Sequence, residues 1–208
     1  MNDLKRLETE VMERIQNDPA HDFEHIMRVY KNAKRIARHE KANMRLVLTS
    51  VLLHDIVSFP KSDVRSKTSS LKSAQAAKRI LKKYRYTAHE IDIVADAISD
   101  HSFSRNKVPK TLVGKILQDA DRLDALGAIG IARTFSVGGA ERRPIYSVTD
   151  PFCRTRAPDD KRWTVDHFYR KLLVLEKNMN TKFAKREARR RTTILKGFLA
   201  ELRREIQP

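Results

Sequence analysis

Cysteine is nearly absent from this chain of 208 residues: Cys153 stands alone. That excludes an internal disulfide framework and fits a reducing compartment, by default the cytoplasm. Glycine and proline are scarce too, at six and seven. With abundant Ala, Leu, Arg, Lys and Glu, this favours helices over strands. No apolar run approaches the roughly 20 residues that cross a bilayer, so no membrane partner is expected. The opening MNDLKRLETEVMERI alternates acid, base and apolar residues and is no signal peptide. Aromatics make up only 7% and do not alternate with the basic residues, which removes a stacking platform for single-stranded nucleic acid. Acids are outnumbered, 26 against 43 bases, for a formal charge of +17 that calls for an anionic partner.

The chain is 40% hydrophobic and long enough to bury one sizeable core. Leu4, Leu7, Val11 and Ile15 recur at helical spacing, and Asp18-Pro19 reads as the start of a second helix. That helix carries Phe23, Ile26, Val29, Tyr30, Ala33, Ile36 and Ala37 on its inner side, with His25 among them. Residues 43–57 read as an apolar central helix broken by Pro60. KSDVRSKTSS is a polar loop, after which Ser69 or Ser70 caps a helix with Leu71, Ala74, Ala77, Ile80 and Leu81 inward. Thr87 and Glu90 form a capping box before Ile91, Val94, Ala95 and Ile98. A helix over about 110–122 and a small-residue helix, DALGAIGIARTF, follow. Residues 136–163, with Gly138, Gly139 and three prolines, read as a long irregular loop or lid. Two helices, roughly 164–179 and 181–206, close the chain. The expectation is an all-α, compact single-domain helical bundle over 1–208, with its helical core in 1–135.

Three places carry imidazole or carboxylate in suggestive order: His25 in HDFEH, adjacent His54 and Asp55 in VLLHDIV, and Asp121 in QDADRLD. The middle pair sits in an apolar stretch. A buried carboxylate beside an imidazole costs several kcal/mol unless compensated, and a cation is the natural compensation. A lone buried histidine is more often a satisfied core residue, but the adjacent pair weakens that reading. Imidazole with carboxylate suits Mn, Fe, Ni, Co or Zn without singling one out, and Mg stays open. HDFEH places His21 and His25 four apart as in the zinc-protease pattern H-E-x-x-H, but Asp22 stands where Glu is required. DADRLD fails as a calcium loop because Asp124 occupies the sixth position, where glycine is needed.

The order H…HD…D resembles the HD-domain superfamily of metal-dependent phosphohydrolases. HDFEHIMRVYKNAKRIA, VLLHDIVSFPK, ISDHSFS, QDADRLDALGAIGIARTF, FSVGGAERRPIY and HFYRKLLVLEKNMNTKFAK are similar to successive blocks of its small single-domain bacterial branch. The resemblance implies one divalent cation held by His25, His54, Asp55 and Asp121. It also implies hydrolysis of phosphoester or phosphoanhydride bonds in a small phosphorylated, nucleotide-like substrate, by attack of an activated water. Asp55 would both ligate and help accept the water's proton. Arg28, Lys61, Arg122 and Arg133 are candidates for neutralising phosphoryl charge, each also readable as an ordinary surface or ion-paired cation. His101 matches a position where more elaborate HD proteins recruit extra metals, and an outer-shell role is favoured here. Asp124, three residues after Asp121, could orient a ligand or a water.

In one respect the chain departs from several nucleotide-cleaving HD enzymes: no acid follows Asp55 until Asp63. The proton then falls to Asp63, Asp124 or the metal itself. Two further readings stand beside the hydrolase. One is a nucleotide-binding HD scaffold without turnover. The other is a nucleic-acid-associated protein, because residues 181–208 hold nine Lys/Arg against three Glu. An ordinary solvated helix face explains that segment as well, so nucleic acid is possible but not favoured. The sequence leaves oligomeric state open, a homodimer included.

Overall fold

A computed structural model describes residues 3–14, 23–59 and 63–206, apart from the side chain of Ser104. The expected start at Asp18-Pro19, the Pro60 break, Ile15, His21, Asp22 and Lys61 lie outside these residues. The described chain is helical with no strand, as expected. It divides into two compact units, Met1–Asp121 and Arg122–Pro208.

The first unit holds α1 (Asp3–Arg14), α2 (Phe23–His39), α3 (Met44–Leu53), α4 (Ser69–Leu81), α5 (Ala88–Asp100) and most of α6 (Leu112–Asp124). Helix α3 is its hub, packed against α1, α2 and α5. Every residue from Leu46 to Leu53 is buried, so α3 is apolar all round because all its sides are covered. Asn43 opens it, its side-chain oxygen accepting from the Leu46 N–H. The helix stops at Leu53, four residues short of the expected end. The His54 ring reaches back and bonds the Val51 carbonyl at 2.7 Å, beside the longer bond of 3.4 Å from the His54 N–H. His54 and Asp55 therefore stand at the mouth of α3, in a turn, and not inside it.

The expected loop before α4 contains a 3-10 turn, Val64–Thr68, capped by Asp63, which accepts from the Arg65 N–H. This turn runs directly into α4, with Thr68 already in helical conformation. Neither Ser69 nor Ser70 is the cap, since a continuous ladder leaves no open amide to serve. Leu71, expected inward, is 38% exposed. The capping box of α5 forms as the sequence indicates, with Thr87 and Glu90 each bonding the other's backbone amide.

In the second unit α7 (Gly127–Ala140) packs on α9 (Lys182–Ile206). Helix α7 extends through Gly138 and Gly139 into the stretch expected to be irregular. Gly138 is there for contact: a Cβ at this position would lie 2.3 Å from the Thr164 hydroxyl. The expected helix over 164–179 is a relay of short turns: a π turn (Phe168–Leu172), α8 (Leu173–Leu175) and a 3-10 turn (Glu176–Asn178). Between α7 and these turns the chain is non-helical but tied down. The buried Asp166 takes both Nη atoms of Arg156 and the Asp159 amide, and Asp150 accepts from the Arg154 and Thr155 amides. Arg156 and Arg162 both stack on the Trp163 ring.

Candidate metal centre

Four elements of the first unit deliver five side chains to one place. His25 comes from the first turn of α2, His54 and Asp55 from the end of α3, His101 from the end of α5, and Asp121 from α6. His25 Nε2 lies 3.5 Å from Asp121 Oδ1 and 3.8 Å from Asp55 Oδ2. His54 Nε2 is 3.5 Å from Asp55 Oδ2, and His101 Nε2 is 3.8 Å from Asp55 Oδ1. The rings of His25 and His54 are 5.5 Å apart, those of His54 and His101 5.1 Å. Donor atoms of His25, His54 and Asp121 all fall within 4.8 Å of one another, as do those of His54, Asp55 and His101. Both sets could hold a metal ion.

The local folding sets which nitrogen faces the cluster. His101 ends α5 as His54 ends α3, its Nδ1 bonded to the Ile98 carbonyl at 2.6 Å. A carbonyl oxygen only accepts, so in both rings Nδ1 carries a proton and Nε2 is the atom that can offer a lone pair. His54 Nε2 is fully buried and has no hydrogen-bond partner. A lone pair so placed is what a cation requires and what a packed core avoids. This orphaned atom is the fit test for a metal, and the residues pass it.

Electrostatics agree. Burial lowers the pKa of His101, and repulsion from His54 lowers it further, against the attraction of Asp55 and Asp121; the ring is neutral, as a ligand must be. Burial pushes Asp121 upward, but His25, His101 and His54 outweigh it and hold the carboxyl below its ordinary value.

The other expected residues are placed as follows. Arg28 is half-buried one turn beyond His25 on α2. Arg122 is 8% exposed and donates to the Asn178 carbonyl. Asp124 is 1% exposed and accepts from Arg133 at 2.8 Å; it belongs to neither metal-capable set. Asp63 caps its turn and chelates the Arg65 guanidinium, whose hydrogen bonds lower its pKa. Of the carboxylates that might take a proton, Asp63 and Asp124 are thus engaged elsewhere.

Three positioning residues were not singled out from the sequence. Asn32 is buried and donates to the Ala120 carbonyl, tying α2 to α6 one residue before Asp121. Gln118, fully buried, donates to the Asp100 and Lys107 carbonyls and so fixes the chain on both sides of His101. Ser73 bonds both the N–H and the carbonyl of Val57, pinning the turn that carries Asp55. Asn32 sits seven residues after His25 and Gln118 three before Asp121, both on the ligand's own helix face. That spacing was the available signal.

This all-helical arrangement, with H…HD…D at the ends and starts of its helices, defines the class: the chain belongs to the HD-domain family, whose model, described as the HD domain, matches residues 22–126. The chain is 33% identical over 190 residues to the uncharacterized protein YpgQ of Bacillus subtilis (strain 168), covering 89% of this chain and 84% of that one. The crystal structure of Bacillus subtilis YpgQ in complex with ADP is similar with a TM-score of 0.77 and 29% identity, covering 98% and 95% of the two chains. An HD-superfamily hydrolase from Bacillus thuringiensis is similar with a TM-score of 0.73 and 34% identity, over 97% and 95%. Among the described residues no helix is long and apolar enough to cross a membrane.

Proposed function

We propose that the protein is a divalent-metal-dependent phosphohydrolase that cleaves a phosphoester or phosphoanhydride bond of a nucleotide-like substrate. The observation that carries this reading is the buried, unsatisfied Nε2 of His54 amid two further imidazoles and two carboxylates. His25, His54, Asp55 and Asp121 would hold the cation. Two imidazole ligands favour a first-row ion such as Mn, Fe, Co, Ni or Zn over Mg, which prefers oxygen. When bound, such a cation supplies Lewis acidity, making water a better nucleophile and phosphorus a better electrophile.

The chain's own residues do the rest. Asp55 faces His54 through Oδ2 and His101 through Oδ1, and it is the carboxylate left to take the attacking water's proton. His101 Nε2 stands 3.8 Å from Asp55 Oδ1 and can share that proton once Asp55 has taken it, which would account for the missing acid after the His54-Asp55 pair. Arg28 and Lys61 neutralise the phosphoryl group, while Arg122 and Arg133 are held by Asn178 and Asp124 and support the fold. A nucleotide is favoured because YpgQ is known in complex with ADP. Residues 1–208 act as one HD domain in this reading. The cytoplasm suits Cys153, whose thiol is pushed up to about 11 by burial and by Asp166.

The test is a panel of nucleoside mono-, di- and triphosphates and simple phosphoesters, run on chelator-stripped protein reloaded with Mn, Co, Ni, Zn or Mg. Products are read by phosphorus NMR. Release of phosphate or pyrophosphate with at least one of these metals is expected. Tight nucleotide binding without turnover would replace the hydrolase by a sensor, and inertness toward the whole panel would remove both.

A further inference from the structure

Helix α9 buries one side and leaves the other bare. Phe183, Ala184, Ala188, Thr192, Leu195 and Leu199 form its buried face. Successive residues turn by about 100°, so an exposed sector roughly 120° wide, starting beside the Thr192 edge of the buried face, is readable from the sequence. It carries Lys182, Lys185, Arg186, Arg189, Lys196, Arg203 and Arg204, all exposed. Within α9 this sector contains no acid and no aromatic ring; Glu176, from the turn before the helix, comes within 3.8 Å of Arg189. The three glutamates of α9 all lie to one side of it, where Glu187 is taken by Arg190 and Arg191, and Glu201 by Arg204 at the sector's edge. The row runs from residue 182 to 203, about 32 Å at the helical rise of 1.5 Å per residue.

Gly197 lies in the same sector, in the middle of a 25-residue helix. Glycine weakens a helix interior and is kept there where another backbone must come close. A Cβ at Gly197 would meet nothing within 4 Å in this chain, so no packing inside the protein requires it. With Thr193 and Ala200 it makes a low floor between the cations.

We propose that this face of α9 docks the phosphodiester backbone of double-stranded nucleic acid. A row about 32 Å long matches roughly one turn of duplex, and the charge is of one sign. Lack of aromatic side chains disfavours single strands, which bind by stacking. A membrane surface fits less well, because an interfacial helix needs a free apolar face and that of α9 is buried. This surface lies outside the His–Asp cluster and does not rest on the phosphohydrolase reading.

The test is fluorescence anisotropy with 20-base-pair DNA and RNA duplexes, a single strand, and phosphatidylserine vesicles, from 50 to 200 mM salt. Contact with about four phosphates gives a log–log salt slope near −3.6, an affinity loss of about 150-fold over that range. The variant K185E/R189E/K196E should lose at least 30-fold in duplex affinity at 50 mM salt and flatten the slope. Its circular dichroism and its metal content should be unchanged, and K185Q/R189Q/K196Q should fall between it and the wild type. G197L should weaken binding with no change of charge. No duplex binding at 50 mM salt, binding indifferent to the charge reversal, or tighter binding to vesicles or single strands than to either duplex would overturn the proposal.

Discussion

The two halves of the molecule treat buried acids in opposite ways. In the second unit three carboxylates are answered by guanidinium: Asp166 by Arg156, Asp124 by Arg133, Glu187 by Arg190 and Arg191. In the cluster of the first unit, Asp55 and Asp121 face imidazoles instead, at 3.5–3.8 Å and beyond hydrogen-bond contact. A guanidinium finishes an ion pair and leaves little for a ligand to do. Imidazoles with inward-facing nitrogens leave room for a cation among the carboxylates.

The comparison can be broken most forcefully at His54. H54A removes the orphaned Nε2 and is expected to abolish metal retention and at least 1000-fold of any hydrolysis, with the fold kept. Elemental analysis and circular dichroism on one sample would check both. The converse change, R156A, strips Asp166 of its bidentate partner. Breaking a buried pair typically costs about 3 kcal/mol or more, so urea unfolding should show that loss while metal content stays intact. G138A tests packing in the same unit. Its methyl would drive into Thr164, so a destabilisation of about 2 kcal/mol is expected, visible as a lower melting temperature.

The smallest effect sharpens the electrostatic side. Hydrogen bonds from Arg190, then Arg191, hold Glu187 down at about 2 despite its partial burial. Its ordinary value is 4.5, so the folded form binds its proton more weakly than the unfolded chain does. The stabilisation is therefore complete above about pH 4.5 and fades as pH falls toward 2. In E187Q, stability measured by thermal melts at pH 5, 3.5 and 2.5 should decline less steeply than in the wild type. Parallel declines would mean that the pair contributes nothing.

Much of this was legible in the residues, for identifiable reasons. The capping box at Thr87 and Glu90 is a local signal and formed as read. His25, His54, Asp55 and Asp121 converge because apolar periodicity fixes how their helices face one another. Three features depend on side-chain partners, near or far in sequence, that the residue pattern does not announce. Helix α3 ends early because the His54 ring takes the Val51 carbonyl, which spacing alone does not announce. Gly138 looks like a breaker until Thr164 is seen against it. Asp63 and Asp124 look like free acids until Arg65 and Arg133 are placed beside them. Asn32 and Gln118 escaped notice because buried amides in helices look like surface residues until their carbonyl partners are known.

The central claim is that imidazoles and carboxylates on four elements of the first unit form a cation site waiting on His54. Calorimetric titration of Mn into chelator-stripped wild type, H54A and R156A tests it directly. Saturable binding in the wild type and in R156A, lost in H54A, is the predicted result. Equal binding in wild type and H54A, or none in the wild type, would contradict it.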